Sequence, residues 1–153
     1  MSILHTDTVT VFNRYDSEVG GENYNTWYPT VIKGVKLTVD KAARQNKSGL
    51  ENADAASLSI PCRVSGGNIF VTSKQYLPPK DWDRQVNENL PSTITFTEGE
   101  DFFIRGEYGT EPIRDADYRG GFYNYINSHY DDVFLINSVG FYKLIPHFEI
   151  SGK

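Results

Sequence analysis

The residues whose chemistry could build a site are 3 histidines, 1 cysteine and a few clustered acids. His5, His129 and His147 stand far apart, and none opens the H-x-x-x-H or H-E-x-x-H pattern that puts two imidazoles on one metal. Pairing of terminal strands would bring His5 and His147 together. Two imidazoles without a further ligand fall short of a zinc site, however, and read as surface or hydrogen-bonded residues. Cys62 is the single cysteine, which excludes an intramolecular disulfide and a multi-cysteine zinc site. Its place on the apolar side of a strand makes it a small core residue. Asp115-Ala116-Asp117-Tyr118-Arg119-Gly120 begins like a calcium loop, but Arg119 stands where an oxygen ligand belongs and no glutamate closes the motif. Glu98, Glu100, Asp101 and Glu107 could be drawn into a carboxylate pair for glycoside hydrolysis. Such an acid would need an apolar or carboxylate neighbour to lift its pKa, and the plainer reading is a solvated acidic turn. The chain has no G-x-S-x-G elbow, no G-x-x-x-x-G-K-[ST] phosphate loop and no G-x-G-x-x-G after a strand. The expectation is no catalytic residue, no metal, no cofactor and no enzyme activity.

Binding chemistry is better represented. Tyr24, Trp27, Tyr28, Tyr76 and Trp82 could line a sugar-stacking face of a carbohydrate- or receptor-binding β-sandwich, although most of the 9 Phe, 10 Tyr and 2 Trp must fill the core of a 153-residue chain. Lys33, Lys36, Lys41, Arg44 and Lys47 form the one locally basic stretch. With 20 acidic against 15 basic residues the formal charge is -5, so the field that draws a protein onto phosphate backbones is missing and stand-alone DNA binding is disfavoured. Asp131 and Asp132 end a helical segment and are candidate partner-docking acids on an exposed face. Asn46-Lys47-Ser48 fits a glycosylation triplet, a pattern that arises easily by chance. The start, Met1 to Asp7, has neither a basic nor an apolar signal region, and no apolar run nears the ~20 residues that span a bilayer. A soluble cytoplasmic product with no membrane contact is expected.

These residues must be positioned by short strands. Thr8 to Asn13 alternate with β-branched residues, the period of a half-buried strand. Asp16 to Asn25, polar and carrying Gly20-Gly21, reads as a hairpin loop. A second strand starts near Trp27 and runs through Val31, Ile32, Val35, Leu37 and Val39, its phase shifting at Gly34 through a bulge. Residues 41–56 hold almost no large apolar group and form a candidate mobile loop. Leu58 to Val64 make a third strand, which Pro61 assigns to an edge or a bulge, and Gly66-Gly67-Asn68 turns it into a partner at Ile69 to Thr72. Tyr76 to Trp82, with Pro78-Pro79, is expected to be an irregular packed loop. Short strands follow at Ser92 to Phe96 and Phe102 to Arg105. The stripe Phe122, Tyr125, Ile126, Tyr130 predicts one short helix, before strands at Val133 to Ile136 and Phe148 to Ile150. The pattern is mainly β: a single domain over 1–153, a small antiparallel β-barrel or sandwich with long loops and one short helix.

Thr8 to Arg14, Trp27, the strand from Val31 to Val39, Asp132-Val133-Phe134-Leu135-Ile136-Asn137-Ser138-Val139 and the tail Pro146 to Lys153 together carry a resemblance. The chain resembles the head-tail joining proteins of long-tailed bacteriophages and prophages, in which such strands frame a small β-barrel. The resemblance implies a non-catalytic structural virion protein of the neck, a head-tail connector or stopper, with a tail terminator as the alternative. It implies a homo-oligomeric ring, twelvefold if a stopper, whose partners are the portal or adaptor protein and the tail terminator. The ring would surround the DNA channel, in non-specific proximity to packaged DNA. Lys41, Arg44 and Lys47 would then face the channel or an adjacent subunit, and the protein, made in the bacterial host cytoplasm, would reside in the virion neck.

Overall fold

A computed structural model of the chain describes residues 5–19, 22–40 and 55–153. Strands β1 (Asp7–Val19) and β2 (Glu22–Asp40) form one long antiparallel hairpin. After it come β3 (Ala55–Pro61), β4 (Arg63–Ser65), β5 (Asn68–Val71), β6 (Lys74–Tyr76), helix α1 (Pro79–Asp83), β7 (Thr93–Ile94), β8 (Phe102–Arg105) and β9 (Ile113–Arg114). Helix α2 (Phe122–His129), β10 (Val133–Tyr142) and β11 (His147–Gly152) complete the order. The neighbours run β1-β8-β10-β11-β3-β2, and β2 pairs back to β1, so six antiparallel strands close into a barrel. Closure removes the open edges that a flat sheet of these strands would leave. A second sheet, β4-β5-β6-β7, joins the same core through Val71 and Ile94.

Side-chain alternation assigns the two faces of the wall. Val9, Val11, Phe103, Phe134, Ile136, Leu58, Ile60, Phe148 and Ile150 belong to the barrel core. Their neighbours Phe12, Phe102, Ile104 and Val133 belong to a second cluster with Trp27 and with Phe122 and Ile126 of α2. Wall strands covered on both sides explain why β8 is apolar at three successive positions. The Trp27 indole N–H and the Phe122 backbone N–H both donate to Asp115 Oδ1, at 2.9 and 2.8 Å. One carboxylate thus ties β2 to the first turn of α2 and satisfies a donor that the helix leaves open.

The bulge expected at Gly34 is present: Thr8 pairs with Lys33 and Asp7 with Val35, leaving Gly34 as the extra residue at φ 76°. Other expectations need correction. Asp16 to Asn25 is no loop, because β1 and β2 stay in register out to Val19 and Glu22 as a two-stranded arm beyond the barrel. The polar composition there carries no alternating apolar pattern by which the sequence would reveal a strand pair. Pro61 ends β3 paired with His147 on one side and, past the last β2 pair at Ser59, with no described strand on the other, which is the local edge its missing N–H requires; the strand read through Val64, however, breaks at Cys62. The Pro-Pro segment is helical: proline is tolerated in a helix's first turn, and α1 buries Trp82 between Tyr15 and Tyr28. Among the described residues two α-helices, with 3-10 turns at Asn87–Ser92 and Asp115–Asp117, therefore replace the one helix expected. From Ser92 to Phe96 only Thr93–Ile94 is strand, parallel to β6. The candidate loop 41–56 ends earlier than expected, since Ala55 and Ala56 lie in β3 and Ala56 is buried; its remainder, 41–54, falls outside the described residues.

Candidate functional site

The last pair joining β2 to β3 is Lys36 with Ser59, yet β3 runs on to Pro61 while β2 swings to β1 through its Gly34 bulge. Where the two strands part, a cleft of about 750 Å³ opens. Ile32 and Gly34 of β2, Pro61 of β3, Phe70 and Thr72 from the β5 hairpin, and Ile145 and Pro146 from the β10–β11 turn line it. Its walls are mostly apolar, and its polar groups are Lys33, Arg63, His5, Ser59, Cys62, His147 and Glu149. Size and lining match the concave apolar sites that bind small molecules.

The charges are unevenly satisfied. Arg63 Nη2 donates to the Thr72 carbonyl at 2.8 Å and its guanidinium carbon lies 5.3 Å from the Phe70 ring centroid, a stacked and tethered posture. Among the described residues no carboxylate lies within ion-pair distance of Arg63. Lys33 reaches Glu107 only at 3.8 Å, with both side chains largely in solvent, a pair of little energetic weight. Glu149 is engaged by His147 Nε2 at 3.1 Å, while His147 Nδ1 donates to the Ile145 carbonyl at 2.6 Å and its ring stacks on Tyr142. His5 Nε2 meets Ser59 Oγ at 3.4 Å, and His5 Nδ1 is buried with no partner among the described residues. Burial pushes the Cys62 thiol up, away from the thiolate a nucleophile needs. His5 and His147 both line this cleft, although the terminal strands expected to bring them together, β1 and β11, do not pair and His5 lies instead against Ser59 of β3; among the described residues no group of three metal-ligating side chains forms.

Beside the cleft the β10–β11 turn presents Leu144, 97% exposed, and Ile145, 76% exposed, next to the exposed Phe141 and Tyr142. A strand-to-strand turn is normally polar. Sequence inspection passes over this tip, although Leu144-Ile145 between two strands is a legible signal.

The other nominated residues separate. Asp131 is exposed, but Asp132 accepts from Arg105 Nε at 3.0 Å and Arg105 also reaches Asp7 at 3.9 Å, so that carboxylate fastens the barrel wall. Lys41, Arg44 and Lys47 lie outside the described residues. Lys33 and Lys36 are exposed on β2. The acids do not gather: Glu98 accepts the Val139 N–H, Glu107 faces Lys33, and Glu100 is exposed. Asp101 departs from the solvated turn expected of it, being fully buried and accepting from Asn13 Nδ2 and from the Arg14 and Thr97 N–H groups at 2.8 to 2.9 Å. His129 ends α2 on the Tyr125 carbonyl and stacks on that ring. Trp27 and Trp82 are buried and Tyr28 and Tyr76 half-buried, which removes the exposed coplanar rings that sugar stacking needs; of Tyr24 only the backbone is described. No described helix is long and apolar enough to cross a membrane.

No curated protein and no solved structure matches the chain. The family of unknown function DUF6751 matches it over residues 4–153, and the chain belongs to that family.

Proposed function

We propose that the chain is a structural protein of the bacteriophage neck, a head-tail connector or stopper that assembles with copies of itself and joins the portal or adaptor ring to the tail without catalysis. The observation that carries this reading is the apolar tip of the β10–β11 hairpin. Leu144 stands almost wholly in solvent and Ile145 largely so on the turn between two strands, and a cluster of large apolar side chains held out of a core is the mark of a protein contact. The strands that resemble phage joining proteins support it, because β1, β2, β10 and β11 are all staves of the closed barrel. The two-stranded β1–β2 arm beyond the barrel offers further backbone edges for a neighbour.

Light scattering of the chain alone and with purified portal or adaptor rings tests the proposal. Association is expected in at least one mixture. The double change Leu144→Ser with Ile145→Ser is expected to weaken it by about tenfold or more, as loss of a buried anchor does, while leaving the melting temperature of the isolated chain unchanged. A strict monomer that binds neither ring overturns the reading.

A further inference from the structure

We propose that the cleft between β2 and β3 binds a small amphiphilic carboxylic acid, its apolar body between Pro61 and Phe70 and its carboxylate on Arg63. Three observations converge. First, the space arises from the backbone itself: the Gly34 bulge carries β2 away from β3 beyond the Lys36–Ser59 pair, and the cleft of about 750 Å³ is the result. That volume lies within the ~300–1,000 Å³ range of small-molecule sites. Second, the charge at its mouth has one sign to spare. Glu149 already faces His147 at 3.1 Å, whereas Arg63 has no carboxylate partner among the described residues and Lys33 has only a long, solvated contact. Third, Arg63 is already oriented. With one Nη2 bond to Thr72 and its plane near Phe70, it loses little side-chain entropy when a carboxylate arrives, and its remaining N–H groups can hold both oxygens.

A phosphate ester fits less well, since a dianion set among mostly apolar walls would lose hydration that one guanidinium and one distant ammonium do not replace. A neutral apolar ligand would leave Arg63 without an anion. The inference goes beyond the connector reading and does not depend on it, because a monomer can bind such an acid.

Amide chemical-shift titration of the full chain with phenylbutyrate, phenylbutanol and phenylbutylamine reads the proposal directly. Phenylbutyrate is expected to shift the amides of Ile32, Lys33, Gly34, Arg63 and Phe70 in a saturable way, and the alcohol and amine to bind about tenfold more weakly or worse, as loss of a charged hydrogen-bonded pair predicts. Arg63→Gln, an exposed change that leaves the fold intact, should weaken the acid by a similar factor and leave the alcohol unaffected. Ser59→Phe, which fills the cleft, should abolish binding of all three. Equal affinity for acid and alcohol, no effect of Arg63→Gln, or no shift at these amides at millimolar phenylbutyrate overturns the proposal. So does a chain that ignores all three probes but loses ring association on Ser59→Phe, which would make the cleft a protein contact.

Discussion

Asp101 is the residue where local sequence and tertiary structure disagree most. Glu98-Gly99-Glu100-Asp101 looks like a solvated turn, yet the last carboxylate of the run is fully buried and joins β1 to the segment before β8. Its own carbonyl accepts the Ile136 N–H, so a third strand is tied to the same residue. Burial pushes the Asp101 carboxyl up to about 7, against the N–H groups of Arg14, Thr97 and Asn13, which favour the ionised form, and with Glu100 raising it further. A carboxyl whose folded pKa is raised binds its proton more tightly in the native state. Its contribution to stability is therefore complete below the ordinary carboxylate range, near pH 4, and is lost as pH climbs through about 7. At about 1.4 kcal/mol per pKa unit, the loss across that window amounts to a few kcal/mol. Asp101→Asn cannot titrate, and its amide meets N–H donors, so it starts less stable at pH 4.5. Urea midpoints for both chains at pH 4.5, 6 and 7.5 should show the wild-type advantage shrinking with pH. Parallel pH profiles would mean that Asp101 does not govern the window.

Gly34 shows how one position can set the course of a strand. Ile32 points into the barrel, and with strict alternation Val35 and Leu37 would point out, but all three are buried in the same core. The residue inserted at φ 76° restores the phase, and a side chain there costs about 1–2 kcal/mol from backbone strain alone. Gly34→Ala should lower unfolding free energy by about that amount, measured by urea denaturation; deleting Gly34 should cost several times more, because it turns either Ile32 or Val35 and Leu37 to solvent. If deletion is no worse than the alanine change, the bulge does not hold the register. This feature was legible because the apolar series itself breaks step at a glycine. The helix at Phe122–His129 was legible from its stripe, in which Phe122 and Ile126 are buried and Tyr125 half-buried, while Tyr130, the stripe's last member, caps the helix and is 44% exposed. The arm was not: its sequence carries no alternating apolar pattern, and only the pairing of β1 with β2 makes it strand. Nor was α1, where Pro78-Pro79 signals irregularity and the buried Trp82 decides otherwise. The cleft was legible only in the suggestion that His5 and His147 lie near one another, since its remaining walls come from three further stretches of chain.

Closure of the barrel is the property on which the rest depends, and it is completed by β11. That strand lies between β10 and β3, buries Phe148 and Ile150, and is followed by a reciprocal pair of bonds between Leu135 and Lys153 at 2.8 and 3.0 Å. Gly152 beneath this closure has no room for a side chain, since a Cβ there would lie 2.8 Å from that of Phe134. Without β11, two wall strands would each carry an unpaired edge, and the core would lose two large side chains worth about 1.5–3 kcal/mol apiece. The lost ladder bonds add to that, against a total stability of about 5–15 kcal/mol for a domain of this kind. A chain ending at Pro146 should therefore lose its near-ultraviolet circular dichroism and its cooperative thermal transition, bind a hydrophobic dye and aggregate through the β3 and β10 edges. The β4–β7 sheet shares Val71 and Ile94 with the barrel core, so it should melt with the barrel and not survive it. Retention of a sharp transition by the shortened chain would show that five staves suffice. The cleft would not survive either, because His147 and Glu149 of β11 form one of its walls; loss of phenylbutyrate binding should accompany loss of the transition in the same preparation.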